Sequence, residues 1–391
     1  MRSLNPAYLH RLTYSSRQLR SIQRLGQARG RQELFVAQAP EQLEVLRQAA
    51  IVASTESSNR IEGITAASKR VAAIVLENAT PQNRSEQEIA GYRDALALIH
   101  ESHAHIPFSP NVILQLHRML LRYLPSDGGR WKPTDNEIVD RAADGEVLRV
   151  RFRAVPAVAT PSAVAELADN YQRAREQDLD PLIIVPFAIL DFLCIHPFHD
   201  GNGRMARLLT LLLLYQAGYQ VGRYISLERI VEESKETYYE ALERSSAGWH
   251  ESGHDVTPWL EYFWGMLLRA YDEFEQRVET LLSGRGAKTL AIRRAVERRM
   301  APFSIADIET DCPGVSRDMV RHVLRKMRLD GAIAPLSMGR SAKWVRLEGS
   351  ADEALGVADR APDGASPRLP GAPDHDELDG ETDSTTNRGG R

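Results

Sequence analysis

The stretch PLIIVPFAILDFLCIHPFHDGNGRMARLLTLLLLYQAGY, residues 181–219, decides the fold. Two nearly continuous apolar runs flank a polar turn, His196–Arg207, that holds two histidines, an aspartate, an asparagine, two glycines and two arginines. Runs so apolar read as helices buried on all sides, with Gly218 closing the second. The second run is also too short to span a bilayer. The turn between them needs the unusual backbone torsions and close approach that glycine permits. It opens a helix, where free N–H groups and the positive dipole end receive an anion. Arg204 and Arg207, three apart, share a helix face and suit phosphates better than a lone carboxylate. Asp200 would repel a phosphate unless a cation bridges them, and Mg²⁺ takes a single carboxylate in that way. His196 has the pKa to remove a hydroxyl proton near neutrality. Together these groups specify phosphoryl or nucleotidyl transfer. DGNG alone also suits a tight helix–helix connection, but that leaves the joint presence of His196, Asp200, Arg204 and Arg207 unexplained.

Outward from the turn, helical spacing dominates. EQLEVLRQAAIVASTESSNRIEGI, EQEIAGYRDALALIHES and NVILQLHRMLLRYL repeat apolar residues three and four apart before residue 125. TPSAVAELADNYQRAREQ restarts a helix at a Thr-Pro opening. Amphipathic segments then carry the chain to about Leu282. The exception is NEIVDRAADGEVLRVRFRAVPAV, where alternation around ADG predicts a short hairpin.

The chain has 391 residues, 43% hydrophobic and 26% charged, with a net charge of −4. That length predicts two or three domains with ample core, and the overall charge demands neither nucleic acid nor membrane. Two cysteines, Cys194 and Cys312, and no secretory-type leader make the cytoplasm the expected location. After a linker-like SGRGAK, residues 289–347 read as three helices and a two-stranded wing. Residues 285–347 hold 14 Lys/Arg against 6 Asp/Glu, a balance of +8. From Glu348 the balance reverses to −7, with 11 acidic and 4 basic residues and no aromatics. Such a tail is expected to be disordered.

HPFHDGNGRMAR matches in full the Fic family signature, His-Pro-Phe-x-Asp-Gly-Asn-Gly-Arg-x-x-Arg, and the chain resembles that family from about Leu34 to Leu282. The resemblance implies an all-α fold, with a Fic-type helical core and a small β-hairpin flap. It also implies AMP transfer from Mg-ATP to a Tyr, Thr or Ser hydroxyl of a protein. Carried over by position, His196 is the general base and Asp200 the Mg²⁺ ligand. Gly201, Asn202 and Gly203 form the anion nest, Arg204 and Arg207 bind ATP, and Phe198 anchors the loop. Doc-type kinases of the superfamily alter the Gly203-Arg204 part, which is intact here and favours AMP over phosphate transfer.

SNRIEG, Ser58–Gly63, resembles the inhibitory motif of the same family. The resemblance implies that Glu62 pairs with Arg207 at the γ-phosphate position, with Ser58 orienting the motif. Without it, the same residues read as a helix end with a solvated glutamate and a terminal glycine. Tyr238 and Tyr239 lie where relatives frame adenine, although core packing accounts for them equally. Phe152, Val150 and Arg130 are left without a site role.

The expected organisation is therefore residues 1–108 carrying the inhibitory helix, a catalytic core at 109–282, a winged-helix-like domain at 289–347 and the tail at 348–391. Expected partners are ATP, a target protein, DNA or a protein on the winged-helix module, a second copy of the chain, and no membrane. Within that module Ser316 is the expected cap, and Arg317, Arg321, Arg325 and Lys326 the basic set. Two other readings remain: removal of AMP from the same target, and a DNA-binding regulator whose Fic core senses nucleotide.

Overall fold

The computed structural model describes residues 3–38, 40–125, 128–141, 146–283, 287–299, 301–336 and 342–347. The ADG and GRS turns and the tail from Glu348 lie outside them.

The chain enters through a short helix α1 (Pro6–Leu9) and two long ones, α2 (Ser16–Gln38) and α3 (Pro40–Ile61). Helices α4 (Ser68–Glu77), α5 (Arg84–Ser102) and α6 (Pro110–Leu120) follow. Asn83 and Ser109 cap the last two by accepting from Glu86 N and Val112 N, and Pro110 fits the first turn of α6 because its missing N–H is not needed there. The hairpin of β1 (Glu137–Arg141) and β2 (Val147–Arg153) pairs Ile138 with Phe152 and Val139 with Val150. The register shift between Ile138 and Val139 bends it.

At the centre lie α8 (Pro181–Ile195) and α9 (Asn202–Gln216), reached through α7 (Thr160–Glu176). Every residue of α8 from Ile184 to Ile195 is buried, as the apolar run predicts. Pro186 inside that helix has no N–H for the Leu182 carbonyl, and the Trp264 indole donates to that carbonyl instead at 2.8 Å. Helices α10 (Leu227–Glu233), α11 (Lys235–Ser246) and α12 (Thr257–Ser283) complete the bundle, with α11 and α12 against α8. The fold is all-α with a small hairpin, as expected.

Beyond α12, α13 (Ala287–Glu297), α14 (Ile305–Asp311) and α15 (Arg317–Leu329) enclose a second core of Ile292, Val296, Phe303, Ile308, Val320, Leu324 and Ile333. Its sheet runs β3-β5-β4, from β3 (Phe303–Ser304), β4 (Ile333–Pro335) and β5 (Lys343–Arg346). The two-residue strand β3 was too short to show as an alternating pattern. Ser316 caps α15 through Met319 N.

Candidate active site

The polar turn joins α8 to α9 and floors a cavity of about 540 Å³. Its walls come from the hairpin (Ile138, Val139, Arg151, Phe152), from α11 (Tyr238, Tyr239, Leu242, Glu243) and from Glu62 just past the end of α3. Val150 is not among these lining residues and is exposed, as is Arg130.

His196 ends α8 in the left-handed region, φ 50° and ψ 62°. Its Nδ1 lies 3.2 Å from the Leu193 carbonyl. Because a carbonyl only accepts, Nδ1 carries the proton and Nε2 keeps its lone pair. Burial, with the Lys132 cation nearby, lowers its pKa to about 4, so the imidazole is neutral at physiological pH.

The loop is braced from within. Phe198 is buried and stacks on His117, ring centroids 3.6 Å apart. Asn202 Oδ1 accepts from Phe198 N at 2.9 Å, and its Nδ2 donates to Phe198 O at 2.7 Å. His117 accepts from Gly129 N at Nδ1, so its Nε2–H donates to Asp200 O at 3.0 Å. Nothing in the amphipathic pattern of α6 separated His117 from an ordinary core position.

Gly201 opens α9 at φ 82°, and no side chain caps this helix. Gly201 N donates to Asp200 Oδ1 at 2.7 Å, but among the described residues no side-chain acceptor meets the N–H groups of Asn202 and Gly203, which open α9 at the cavity, the condition for an anion cradle. A β-carbon on Gly203 would collide with Glu62 Oε1 and stand 3.3 Å from Arg207 Nη1. The Glu62 carboxylate thus already lies over that cradle. Arg207 is buried, donates from Nη2 to Glu62 Oε1 at 2.7 Å and to Ser58 O at 2.9 Å, and donates from Nε to Ser58 Oγ at 2.8 Å.

Arg204 is set differently from Arg207. Its guanidinium is 1% exposed, donates to Glu88 Oε2 at 2.8 Å, lies 3.4 Å from Asp200 Oδ2, and is absent from the described cavity walls. A buried cation needs a carboxylate, and Glu88 on α5 supplies it from 116 residues away. Two residues of one helix face are thus committed to different partners.

Asp200 has an exposed side chain at the cavity and a hard oxygen donor, which fits Mg²⁺. Among the described residues no cluster of three His, Cys, Asp or Glu could hold a metal, so the other ligands would be phosphate oxygens and water. Among the described residues, too, no helix is long and apolar enough to cross a membrane.

Residues 107–214 match the Fic/DOC family. A protein adenylyltransferase Fic from Nematostella vectensis is 27% identical over 220 residues, covering 52% of this chain and 44% of that protein. The protein adenylyltransferase fic-1 from Caenorhabditis elegans is 26% identical over 183 residues, covering 46% of this chain and 32% of that protein. The chain thus spans less than half the length of these relatives. Among solved structures, a Fic family protein from Desulfovibrio desulfuricans G20 superposes with a TM-score of 0.56 at 22% identity, covering 87% of this chain and 98% of that one. Its likeness establishes the fold. Residues 107–214 of this chain are a Fic/DOC family domain.

Proposed function

We propose that this chain is a protein adenylyltransferase that moves AMP from Mg-ATP to a Tyr, Thr or Ser hydroxyl of a target protein or of its own chain. Glu62 brakes it by occupying the phosphate cradle. The names of its curated relatives support the reaction class. The observation that carries the brake is the Glu62 carboxylate over Gly203, paired with Arg207, at the uncapped start of α9. A carboxylate there mimics a phosphate oxygen and excludes a productive triphosphate pose.

In the transfer, the acceptor oxygen attacks the α-phosphorus, the bond to the β-phosphate oxygen breaks, and pyrophosphate leaves. The hydroxyl proton passes to His196 Nε2, the nitrogen left free by the Leu193 contact. The turn Gly201–Gly203, through the free N–H groups of Asn202 and Gly203, and Arg207 hold the triphosphate. Asp200 would hold Mg²⁺, which supplies charge neutralisation to the phosphates. Arg204 binds the triphosphate from the same helix face and orients the Asp200 carboxylate, which it meets at 3.4 Å. The hairpin is the flap on which the target segment lies. We further read residues 1–108 as the inhibitory region, 109–282 as the catalytic core and 289–347 as a separate winged-helix-like module, since the last has its own core.

The test incubates Glu62→Gly protein with Mg-ATP and lysate, then searches peptide spectra for AMP on Tyr, Thr or Ser. AMP esters support the reading. Phosphate esters, or loss of AMP from a modified target in a Glu62-dependent way, overturn it.

A further inference from the structure

We infer that Lys132 and Asn136, at the base of the flap, are positioning residues for His196 and couple the target-holding hairpin to the turn that carries the base. This rests on the reading of His196 as that base.

Four consecutive carbonyls, from the last residue of α8 into the turn, accept from this one segment. Lys132 Nζ donates to Ile195 O at 3.1 Å, and Asn136 Nδ2 lies 3.4 Å from His196 O. Lys132 N donates to Pro197 O at 2.9 Å, and Asn136 Nδ2 to Phe198 O at 3.0 Å. Lys132 Nζ also donates to Asn136 Oδ1 at 2.6 Å, which fixes the amide with its NH₂ toward the turn.

His196 ends α8 in the left-handed backbone common at helix ends, but without being glycine it carries a strain that the four accepted hydrogen bonds help to hold. Lys132 is 3% exposed with neutral oxygens as its hydrogen-bond partners, a costly way to satisfy a carbonyl that water could reach in a looser turn. Burial pulls its pKa down to about 8. Asn136 immediately precedes β1, and its carbonyl accepts from Ala154 N at 3.4 Å just past β2. Both strands of the flap therefore end on the residue that holds the catalytic turn, so a shift of the hairpin on target binding reaches His196 directly.

The experiment uses the full chain in the Glu62→Gly background, with Mg-ATP and self-modification as the reaction. Asn136→Asp keeps side-chain volume and the bond to Lys132 but removes the donor to His196 O and Phe198 O. It is compared with Lys132→Met, Lys132→Arg and His196→Ala. Asn136→Asp and Lys132→Met are expected to lower kcat by about ten- to a hundredfold, as misplacement of a reacting group does. KM for ATP should stay within about twofold, since the cradle is untouched. Lys132→Arg should recover part of the loss. A folded Asn136→Asp variant with full kcat beside an inactive His196→Ala overturns the clamp alone. Losses in kcat and KM that simply follow a lowered Tm overturn it too. A fully active His196→Ala overturns the base reading itself.

Discussion

Arg207 and Glu62, 145 residues apart in sequence, meet at 2.7 Å above the start of α9, and Ser58 holds the remaining face of the guanidinium through both its hydroxyl and its carbonyl. The Nε and Nη2 groups of Arg207 are thus taken up by the end of α3 and the residue just past it. The pair is poised rather than sealed, because the Glu62 side chain stays 31% exposed while Arg207 is 6% exposed.

Replacing Glu62 by glycine frees Arg207 and the cradle together. Self-modification should rise by about tenfold or more, the equivalent of one charge-assisted hydrogen bond. Glu62→Gln, which keeps the shape without the charge, should fall between the two. Incorporation from α-labelled ATP measures both.

Gly203→Ala should not behave like Glu62→Gly, although it too evicts the carboxylate. The new methyl group would stand where Glu62 Oε1 lies, over the N–H groups that receive phosphate. ATP affinity should drop about tenfold or more even with Glu62 already removed, as expected for a backbone that must be approached closely. Equilibrium binding of ATP to the double variant checks this.

Glu88→Ala should destabilise the fold without altering the cavity wall. It leaves the Arg204 guanidinium buried and short of its closest partner, a change worth about 3–5 kcal/mol. Chemical denaturation should show a lower midpoint with an unchanged slope.

The pH dependence follows from His196. A base must be neutral, and burial holds this imidazole neutral down to about pH 4 instead of the usual 6.5. Activity of the Glu62→Gly form should therefore stay level from neutrality down and fall only through an acid limb near 4. Loss of the Glu62 carboxylate, which favours the imidazolium, moves that limb lower still. Stability has its own sign. His196, His117 and His100 all have lowered folded-state values, so below 6.5 the unfolded chain takes up protons that the native chain refuses. Their contribution is intact above 6.5 and declines as pH falls toward 4, which denaturation midpoints at pH 7 and 5 would register.

How much of this was legible varies by residue. The helices α8 and α9 follow from their apolar runs, and the anion cradle follows from the glycines that join them. Glu62 was reachable only by resemblance, because SNRIEG by itself is a normal helix end, and Gly63 does take φ 80° there. Glu88 lies in a segment read as an amphipathic helix, Asn136 opens the segment read as a hairpin, and nothing in the sequence pattern marks Lys132. Their importance lies in partners 60 to 116 residues away, which local spacing does not encode. Arg204 shows the converse. Its helical position follows from its own segment, but its partner Glu88 comes from α5, which that segment does not reveal.

The most direct measurement is the initial rate of self-modification with Mg-ATP for three proteins: the natural chain, Glu62→Gly, and Glu62→Gly with His196→Ala. A transferase braked by Glu62 with His196 as its base gives a slow first, a fast second and an inactive third. Equal rates for the first two, or a third as fast as the second, would contradict it.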